Sequence, residues 1–277
     1  MPSCAGIRSR QATVLAEPPP ATQRWAVRIE YDGTAFVGWQ RQTNGLSVQS
    51  VLEQAASRLT GGRTVQSVVA GRTDAGVHAA GQVAHLDLPD AMSRRLSVAG
   101  LRDALNFHMK PNLVVVTQAA RVAADWNARF SAIRRCYRYR ILNRAARPAL
   151  AAGQVWHVRR PLDAEAMHEA ARPLIGRHDF TSFRAASCQA NSPWRTLDRL
   201  EVTRDGEVVT IAAEARSFLH HQVRNLAGTL KLVGEGSWQA AGVTEALAAR
   251  DRARAGPTAP PDGLCLVAVG YPEDPFG

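Results

Sequence analysis

The strongest constraint on the fold is a series of strand and helix patterns that occurs twice, in a similar order, along the chain. The first strand alternates apolar and polar residues, and its apolar positions are Trp25, Val27, Ile29 and Tyr31. Ser47 then precedes a stripe with helical spacing: Val48, Val51, Leu52, Ala55, Ala56 and Leu59. A period of two indicates a half-buried strand, and a period near 3.6 indicates an amphipathic helix. The pattern therefore predicts an α/β (α+β) protein of two similar units, with a site in the cleft between them.

The expected units are residues 24–124 and 125–277, preceded by a flexible extension over residues 1–23 with three consecutive prolines. In the first unit we predict strands at 25–31, 66–70, 82–88 and 113–118, a helix after Ser47 and another at 93–107. In the second unit we predict strands at 130–143, 198–203, 208–214 and 264–269, a helix capped by Asp163 and another at 221–233.

Composition narrows the class of partner. The chain of 277 residues carries a net charge of +10, and Lys110 and Lys231 are its only lysines. Arginine presents a planar fork of donors that matches phosphate, so a polyanion is the first expectation, although a GC-rich genome would also favour arginine over lysine. The distribution favours the first explanation. A block free of acidic residues combines the aromatics Phe130, Tyr137 and Tyr139 with seven arginines: 129, 134, 135, 138, 140, 144 and 147.

Several other classes of protein are disfavoured. The four cysteines are far apart and form no C-x-x-C pair, so neither a zinc site nor a disulfide framework is expected. His220 and His221 are adjacent, and neighbours on a helix diverge by about 100°, so we expect them not to share a metal. No apolar run reaches the length of a membrane span and no signal peptide is evident, so we expect a cytoplasmic protein.

The segment Gly71 to Ala79, GRTDAGVHA, places a single carboxylate between glycines. Gly71 and Gly76 remove side-chain bulk, so that another molecule can approach the backbone. Arg72 is expected to share a face with Asp74 and to favour its ionised form, which is the form a nucleophile needs. The alternative for such a segment alone is a glycine-rich turn with a surface ion pair.

Six segments, taken together, resemble the tRNA pseudouridine synthase A family between about Arg24 and Pro272. They are YDGTAFVGWQRQ (31–42), GRTDAGVHA (71–79), FSAIRRCYRYRI (130–141), HDFTSFRAASCQANSPWR (178–195), FLHHQVRNLAGTL (218–230) and GLCLVAVGYP (263–272). The resemblance implies an isomerase that converts uridine to pseudouridine at positions 38 to 40 of the tRNA anticodon stem-loop. It also implies two similar ferredoxin-like halves that share a mixed, largely antiparallel sheet, a homodimer, and no cofactor or metal.

The same resemblance assigns roles to individual residues. Asp74 matches the catalytic aspartate, which forms a covalent adduct at either C6 of the base or C1′ of the sugar. Tyr137 matches the active-site tyrosine that packs on the flipped base and takes part in removing the C5 proton, whereas Tyr139 is expected in the core. Arg224 matches the helix arginine that is brought to the aspartate, where Arg72 would assist it. Leu264 is expected either to line the uracil pocket or to be an ordinary core leucine.

The chain departs from the family pattern at Cys136 and Gln222, where relatives often carry a polar or basic residue and a methionine. Neither departure removes a proposed catalytic group. Two other classes of function remain open from the sequence. A non-catalytic RNA-binding protein would explain the arginines but would not need Asp74. A glycoside-cleaving hydrolase would use a reactive aspartate, but it usually needs a second carboxylate, and none accompanies these motifs.

Overall fold

The computed structural model describes residues 21–277. Most of the predicted extension, residues 1–20, lies outside the described residues. The strands are β1 (Thr22–Tyr31), β2 (Ser67–Val69), β3 (His78–Pro89), β4 (Val114–Val122), β5 (Arg134–Asn143), β6 (Trp156–Val158), β7 (Gly176–Asp179), β8 (Trp194–Asp205), β9 (Val208–Ala215) and β10 (Leu264–Gly270). The helices are α1 (Val48–Leu59), α2 (Asp90–Ser93), α3 (Val98–Met109), α4 (Ala164–Ala171), α5 (Gln222–Gly234) and α6 (Ala240–Ala249).

All ten strands belong to one sheet, in the order β4-β1-β3-β10-β5-β9-β8-β7, with β2 paired to β3 and β6 to β5. Pairing is antiparallel except between β10 and β3 and between β5 and β6. This confirms the predicted fold class, a mixed and largely antiparallel sheet with helices packed on it. None of the helices in residues 21–277 is long and apolar enough to cross a membrane.

The last strand joins the two halves of the sheet. On one side, β10 pairs in parallel with β3, where Cys265 lies opposite His78. On the other side, β10 pairs antiparallel with β5, where Leu266 lies opposite Tyr137. Because β3 begins at His78, within the segment that carries Asp74, this register brings the end of that segment close to the strand that carries Tyr137.

Each half has its own buried core. In the first, α1 and α3 cover strands whose buried side chains include Trp25, Ile29 and Leu86. In the second, α4, α5 and α6 cover the strands around Tyr139 and Ile211. The predicted caps are confirmed, since Ser47 accepts a hydrogen bond from the Ser50 amide and Asp163 accepts one from the Ala166 amide.

Several predicted boundaries were wrong, including the starts of β3 and β8, and two others have local reasons. The helix predicted from residue 93 is α3, which begins at Val98 because the Ser97 hydroxyl caps it by accepting from the Gly100 amide at 2.9 Å. The strand predicted from residue 130 begins at Arg134, because the Asn127 side chain accepts from the amide of Phe130 at 3.1 Å and holds a turn there. The patterns also missed β6, β7 and α6.

Candidate active site

The Asp74 loop, residues 71–79, is held by backbone hydrogen bonds to the segment after β1. The Trp39 amide donates to the Thr73 carbonyl at 3.0 Å, and the Gly76 amide donates to the Phe36 carbonyl at 3.2 Å. Gly38 has a φ of 106°, and a Cβ there would lie 2.7 Å from the Thr73 carbonyl oxygen. Only glycine allows this close approach without strain, so the loop is fixed immediately before Asp74.

Buried side chains fix the loop from the sheet side. The Tyr31 and Thr73 hydroxyls form a hydrogen bond of 2.7 Å, and the Gln82 amide nitrogen donates to the Gly71 carbonyl at 2.8 Å. Thr73 and Gln82 are both buried. Asp74 itself is left with a partly exposed carboxylate, whose side chain is 24% exposed.

Three nitrogen groups from the other half surround that carboxylate. They belong to residues 218–224, which we call the donor segment. Nε2 of His220 lies 3.2 Å from Asp74 Oδ1. Nε2 of His221 and Nη1 of Arg224 each lie 3.4 Å from Asp74 Oδ2. The site is therefore built at the junction of the two halves, as the cleft prediction placed it, with the carboxylate from one half and its donors from the other.

The histidine pair owes its geometry to an unusual backbone conformation. His221 has a φ of 63°, in the left-handed region, and directly precedes α5. The two imidazole rings lie 4.1 Å apart between centroids, and the His220 carbonyl accepts a hydrogen bond from the Ala185 amide at 2.9 Å. Our expectation that the two rings diverge was wrong, because it assumed that both residues lie within a regular helix. A left-handed histidine is uncommon and costs free energy, which the contacts of both rings offset.

Arg224 is oriented by a neighbouring segment as well as by Asp74. Its Nε donates to the Ala259 carbonyl at 2.7 Å, and the Ala259 amide donates back to the Arg224 carbonyl at 3.1 Å. A Cβ at Gly228 would lie 1.8 Å from the Pro257 carbonyl oxygen, so this glycine lets the segment lie directly against α5. The guanidinium of Arg224 thus has its Nε held by the Ala259 carbonyl and its Nη1 directed at the Asp74 carboxylate.

Burial lowers the pKa of His221 from its usual value, although the nearby Asp74 carboxylate opposes the shift. His220 and Arg224 add to the lowering, because positive neighbours disfavour a charged imidazole. The lowered pKa favours the neutral form of His221 at pH 7. A neutral imidazole can place its single N–H on Nε2 and donate it to Asp74.

The two histidines and Asp74 also have the composition of a metal site. Their ligand atoms all lie within 4.8 Å of one another, and two imidazoles with a carboxylate are a set that Zn²⁺ accepts. The guanidinium of Arg224 reaches the same carboxylate, however, and a fixed positive charge there opposes a second cation. The expectation of a metal-free enzyme stays a prediction.

Tyr137 lies on β5 beside the donor segment and is only partly exposed. The ring of Phe218 contacts it edge to face, with centroids 5.2 Å apart. Burial raises the pKa of Tyr137, and the charge of Asp74 raises it further, so the phenol is protonated at neutral pH. Tyr139 is fully buried and donates its hydroxyl to the Pro260 carbonyl at 2.7 Å, which confirms its assignment to the core.

The other two predicted site residues lie apart from the carboxylate. Arg72 is exposed, and no ion pair or hydrogen bond within residues 21–277 links it to Asp74. Leu264, at the start of β10 and opposite Tyr139, is 5% exposed and packs in the second core with Val77.

The arginine block divides into structural and exposed members. Arg134 and Arg144 form ion pairs with Glu214 at 3.7 Å and Glu207 at 2.8 Å. Arg138 is exposed, and no acidic partner is found for it in the described part of the chain. Arg135 does not fit the predicted role of the block in binding a polyanion, because it is 7% exposed and its guanidinium donates to backbone carbonyls.

The residues that sequence reasoning missed are His220 and His221. The signal was present in the string HHQVRN, in which only Arg224 was assigned a role in the site. Adjacent histidines before a helix arginine can both face the carboxylate only if their backbone is not helical, as in the left-handed conformation of His221. Their roles were hidden because periodicity assumes the regular structure that this segment lacks.

The site is open to solvent. Two surface cavities of about 470 and 510 Å³ are lined by residues between 21 and 94 and between 238 and 254, and neither includes Asp74 or the donor segment. The partly exposed carboxylate thus lies in an open site, which a single nucleotide flipped out of a large polymer can reach.

Comparison with known proteins agrees with this architecture. The family described as tRNA pseudouridine synthase matches residues 27–131 and 170–272, one segment in each half. The chain is 72% identical to tRNA pseudouridine synthase A of Acidiphilium cryptum over 92% of this chain and 98% of that protein. It is 56% identical to the Gluconobacter oxydans protein of the same name, over 97% of this chain and 98% of that one. These matches cover both halves, and groups from both halves meet at the Asp74 carboxylate. The chain therefore belongs to the tRNA pseudouridine synthase family, whose members isomerise uridine to pseudouridine in tRNA.

Proposed function

We propose that this protein isomerises uridines at positions 38 to 40 of the tRNA anticodon stem-loop, with Asp74 as the nucleophile. The observation that carries the proposal is the position of Asp74, partly exposed and faced by His220, His221 and Arg224 from the other half. A carboxylate with three nitrogen donors around it is oriented before substrate binds, and an ionised carboxylate is the nucleophilic form.

The reaction conserves every atom of the nucleotide. The N1–C1′ bond breaks, the uracil turns within the site, and a C5–C1′ bond forms, while C5 loses a proton and N1 gains one. Asp74 forms a transient bond either to C6 of the base or to C1′ of the sugar, and both routes regenerate the carboxylate. In each case the attacking oxygen of Asp74 loses negative charge as its bond forms. Arg224 and the histidines must then transfer their hydrogen bonds from this oxygen to another acceptor.

The remaining site residues hold the flipped nucleotide. Tyr137 supplies an aromatic face that Phe218 keeps in place, and its raised pKa supports a role in packing on the base more than one as a resident phenolate. Leu264 contributes to the apolar wall of the uracil pocket. Arg72 is exposed, so we assign it to the RNA backbone of the nucleotide rather than to Asp74.

The exposed arginines provide the sequence-independent part of tRNA binding. The exposed Arg138 and the half-buried Arg140 lie on the same strand as Tyr137, and the net charge of +10 favours association with a polyanion. We further propose that the protein acts as a homodimer in the cytoplasm, where its tRNA substrate is found. A non-catalytic RNA-binding protein is the alternative that the exposed arginines alone would fit.

The test uses purified protein and an anticodon stem-loop transcript with uridine at the three positions. Nucleoside analysis should show pseudouridine with unchanged RNA mass, whereas a hydrolase would release uracil and a binding protein would leave uridine intact. Asp74→Asn should eliminate the product. The matched control is Asp205→Asn, at an exposed carboxylate at the end of β8, which should retain full activity. Pseudouridine formation by the Asp74→Asn protein would reject the assignment.

A further inference from the structure

Arg135 is a buried arginine that has no acidic partner among residues 21–277. It is 7% exposed. Burial lowers the pKa of its guanidinium, yet arginine remains charged at neutral pH. Burying a charge costs free energy unless the group is hydrogen-bonded. The atoms that Arg135 contacts therefore indicate which part of the structure the buried guanidinium stabilises.

All its hydrogen bonds go to backbone carbonyls. Nη1 donates to Ala132 at 3.0 Å and to Arg216 at 2.6 Å. Nη2 donates to Ala70 at 2.6 Å and to Arg129 at 2.8 Å. Two terminal nitrogens therefore bind four carbonyls, of which those of Ala70 and Arg216 are distant from Arg135 in sequence.

The positions of two of these carbonyls connect Arg135 with the active site. Ala70 directly precedes the Asp74 loop and lies four positions before Asp74. Arg216 follows β9 and lies four positions before His220. The other two carbonyls, of Arg129 and Ala132, belong to the connection that leads into β5. One guanidinium thus links the start of the Asp74 loop in the first half with the start of the donor segment in the second.

We propose that Arg135 is a positioning residue for the isomerisation, which sets the distance between Asp74 and the donors His220, His221 and Arg224 by fixing the carbonyls of Ala70 and Arg216. Arg135 touches neither the carboxylate nor the exposed surface, so it acts through the backbone. The inference rests on the proposed role of Asp74 as nucleophile. A misplacement of about 1 Å between reacting groups can reduce a rate by about 100-fold.

Two substitutions test the proposal. Arg135→Lys retains the charge but offers a single nitrogen, which cannot reach all four carbonyls. Arg135→Gln removes the charge and offers one amide donor group. We expect single-turnover rates at saturating tRNA to fall about 10-fold for the first and about 100-fold for the second, with tRNA affinity within about threefold of wild type.

Rates are measured on protein whose folded fraction is established by circular dichroism and thermal unfolding. The matched control is Arg121→Gln, since Arg121 also donates to backbone carbonyls, at 2.7 Å to Ser93 and 2.9 Å to Leu96, but only within the first half. The control should retain the wild-type rate even if its Tm falls. A partial recovery in Arg135→Lys relative to Arg135→Gln supports positioning.

Other outcomes reject the inference. Wild-type rates in folded Arg135 variants would make the residue purely structural, and so would failure of both variants to fold. A loss of affinity without loss of rate would make it part of the tRNA-binding surface. If Asp74→Asn were active, the proposed nucleophile itself would fail; an inactive Asp74→Asn with fully active Arg135 variants would reject only the positioning role.

Discussion

The Asp74 loop and the donor segment reach the same point in the molecule by different means. The loop is fixed by backbone hydrogen bonds and by a glycine with φ of 106° at Gly38, all within the first half. The donor segment depends on a left-handed histidine and on contacts from Ala185 and Ala259 in the second half. The difference teaches that the carboxylate is supported by hydrogen bonds of the first half around a close backbone approach at glycine, whereas its donors depend on an uncommon backbone conformation that contacts within the second half stabilise.

The largest effect should come from the loop side of this comparison. Asp74→Asn preserves shape and removes nucleophilicity, so we expect pseudouridine formation to fall by about 10⁴-fold or more, with tRNA affinity near wild type. Single-turnover assays and filter binding measure the two quantities. Substantial activity in a sequence-verified variant would show that Asp74 is not the nucleophile.

The next effect should come from the donor side. Arg224→Ala removes a guanidinium 3.4 Å from the carboxylate, and we expect the rate to fall about 100-fold or more while affinity falls much less. Arg224→Lys should recover little, because Lys cannot donate to both Asp74 and the Ala259 carbonyl in the same geometry. An equal loss of rate and affinity would indicate that Arg224 contacts a phosphate of the tRNA and has no specific role in the reaction.

Tyr137 separates packing on the base from proton transfer. Tyr137→Phe retains the ring and its contact with Phe218, whereas Tyr137→Leu loses the aromatic face. We expect a loss of about 100-fold for Leu and a smaller one for Phe, measured as single-turnover rates across pH. A wild-type rate in Tyr137→Leu would place the uracil pocket elsewhere.

Exposed arginines should affect binding without a specific effect on the chemical step. Affinity for tRNA should fall steeply with salt, and Arg138→Ala should lower the slope of log K against log salt by about one unit. Arg135→Gln should leave that slope unchanged, because its guanidinium is buried on carbonyls. The same slope for Arg138→Ala as for wild type would remove Arg138 from the tRNA-binding surface.

The smallest effect concerns pH. Burial lowers the pKa of His221 and, elsewhere in the first half, of His85, so the unfolded chain binds more protons than the folded one as pH falls below about 6.5. This stability is present above that pH and decreases below it. His221→Asn, which tolerates the left-handed backbone, should reduce the drop in Tm between pH 7.5 and 5.5 by about one or two degrees, with His85 still contributing. An unchanged drop would contradict the pKa shift of His221.

Local patterns predicted most of the regular structure. The alternation in β1 and the stripe of α1 were correct because the apolar positions that define them, such as Ile29 and Leu52, are buried. The short strands β6 and β7 were missed because three or four residues cannot show a period, and pairing with longer neighbours stabilises them. The start of β5 was misplaced because the Asn127 side chain accepts a hydrogen bond from the Phe130 amide, and this turn outweighs strand propensity there.

The site residues likewise divide into those that local sequence patterns identified and those that the patterns misplaced. Asp74 was identifiable from its glycine-flanked segment, and Arg224 and Tyr137 from motifs in which their neighbours are fixed by sequence. Arg72 was placed beside Asp74 by a periodicity that holds for a strand, but the segment is a loop, and the two are not paired in the described structure. Arg135 has the same parity along β5 as Tyr139, whereas Arg138 has the opposite one, so the period of two could have separated these arginines, but they were treated as one block.

The sequence by itself determined the α/β class, the nucleophile candidate and the basic character, because these depend on residue identity and on periods shorter than one helix or strand. Tertiary structure alone decided that β10 joins the halves, that His220 and His221 face the carboxylate, and that Arg135 is buried on four carbonyls. These contacts link residues far apart in the chain, and their geometry depends on burial and backbone conformations that no local pattern encodes.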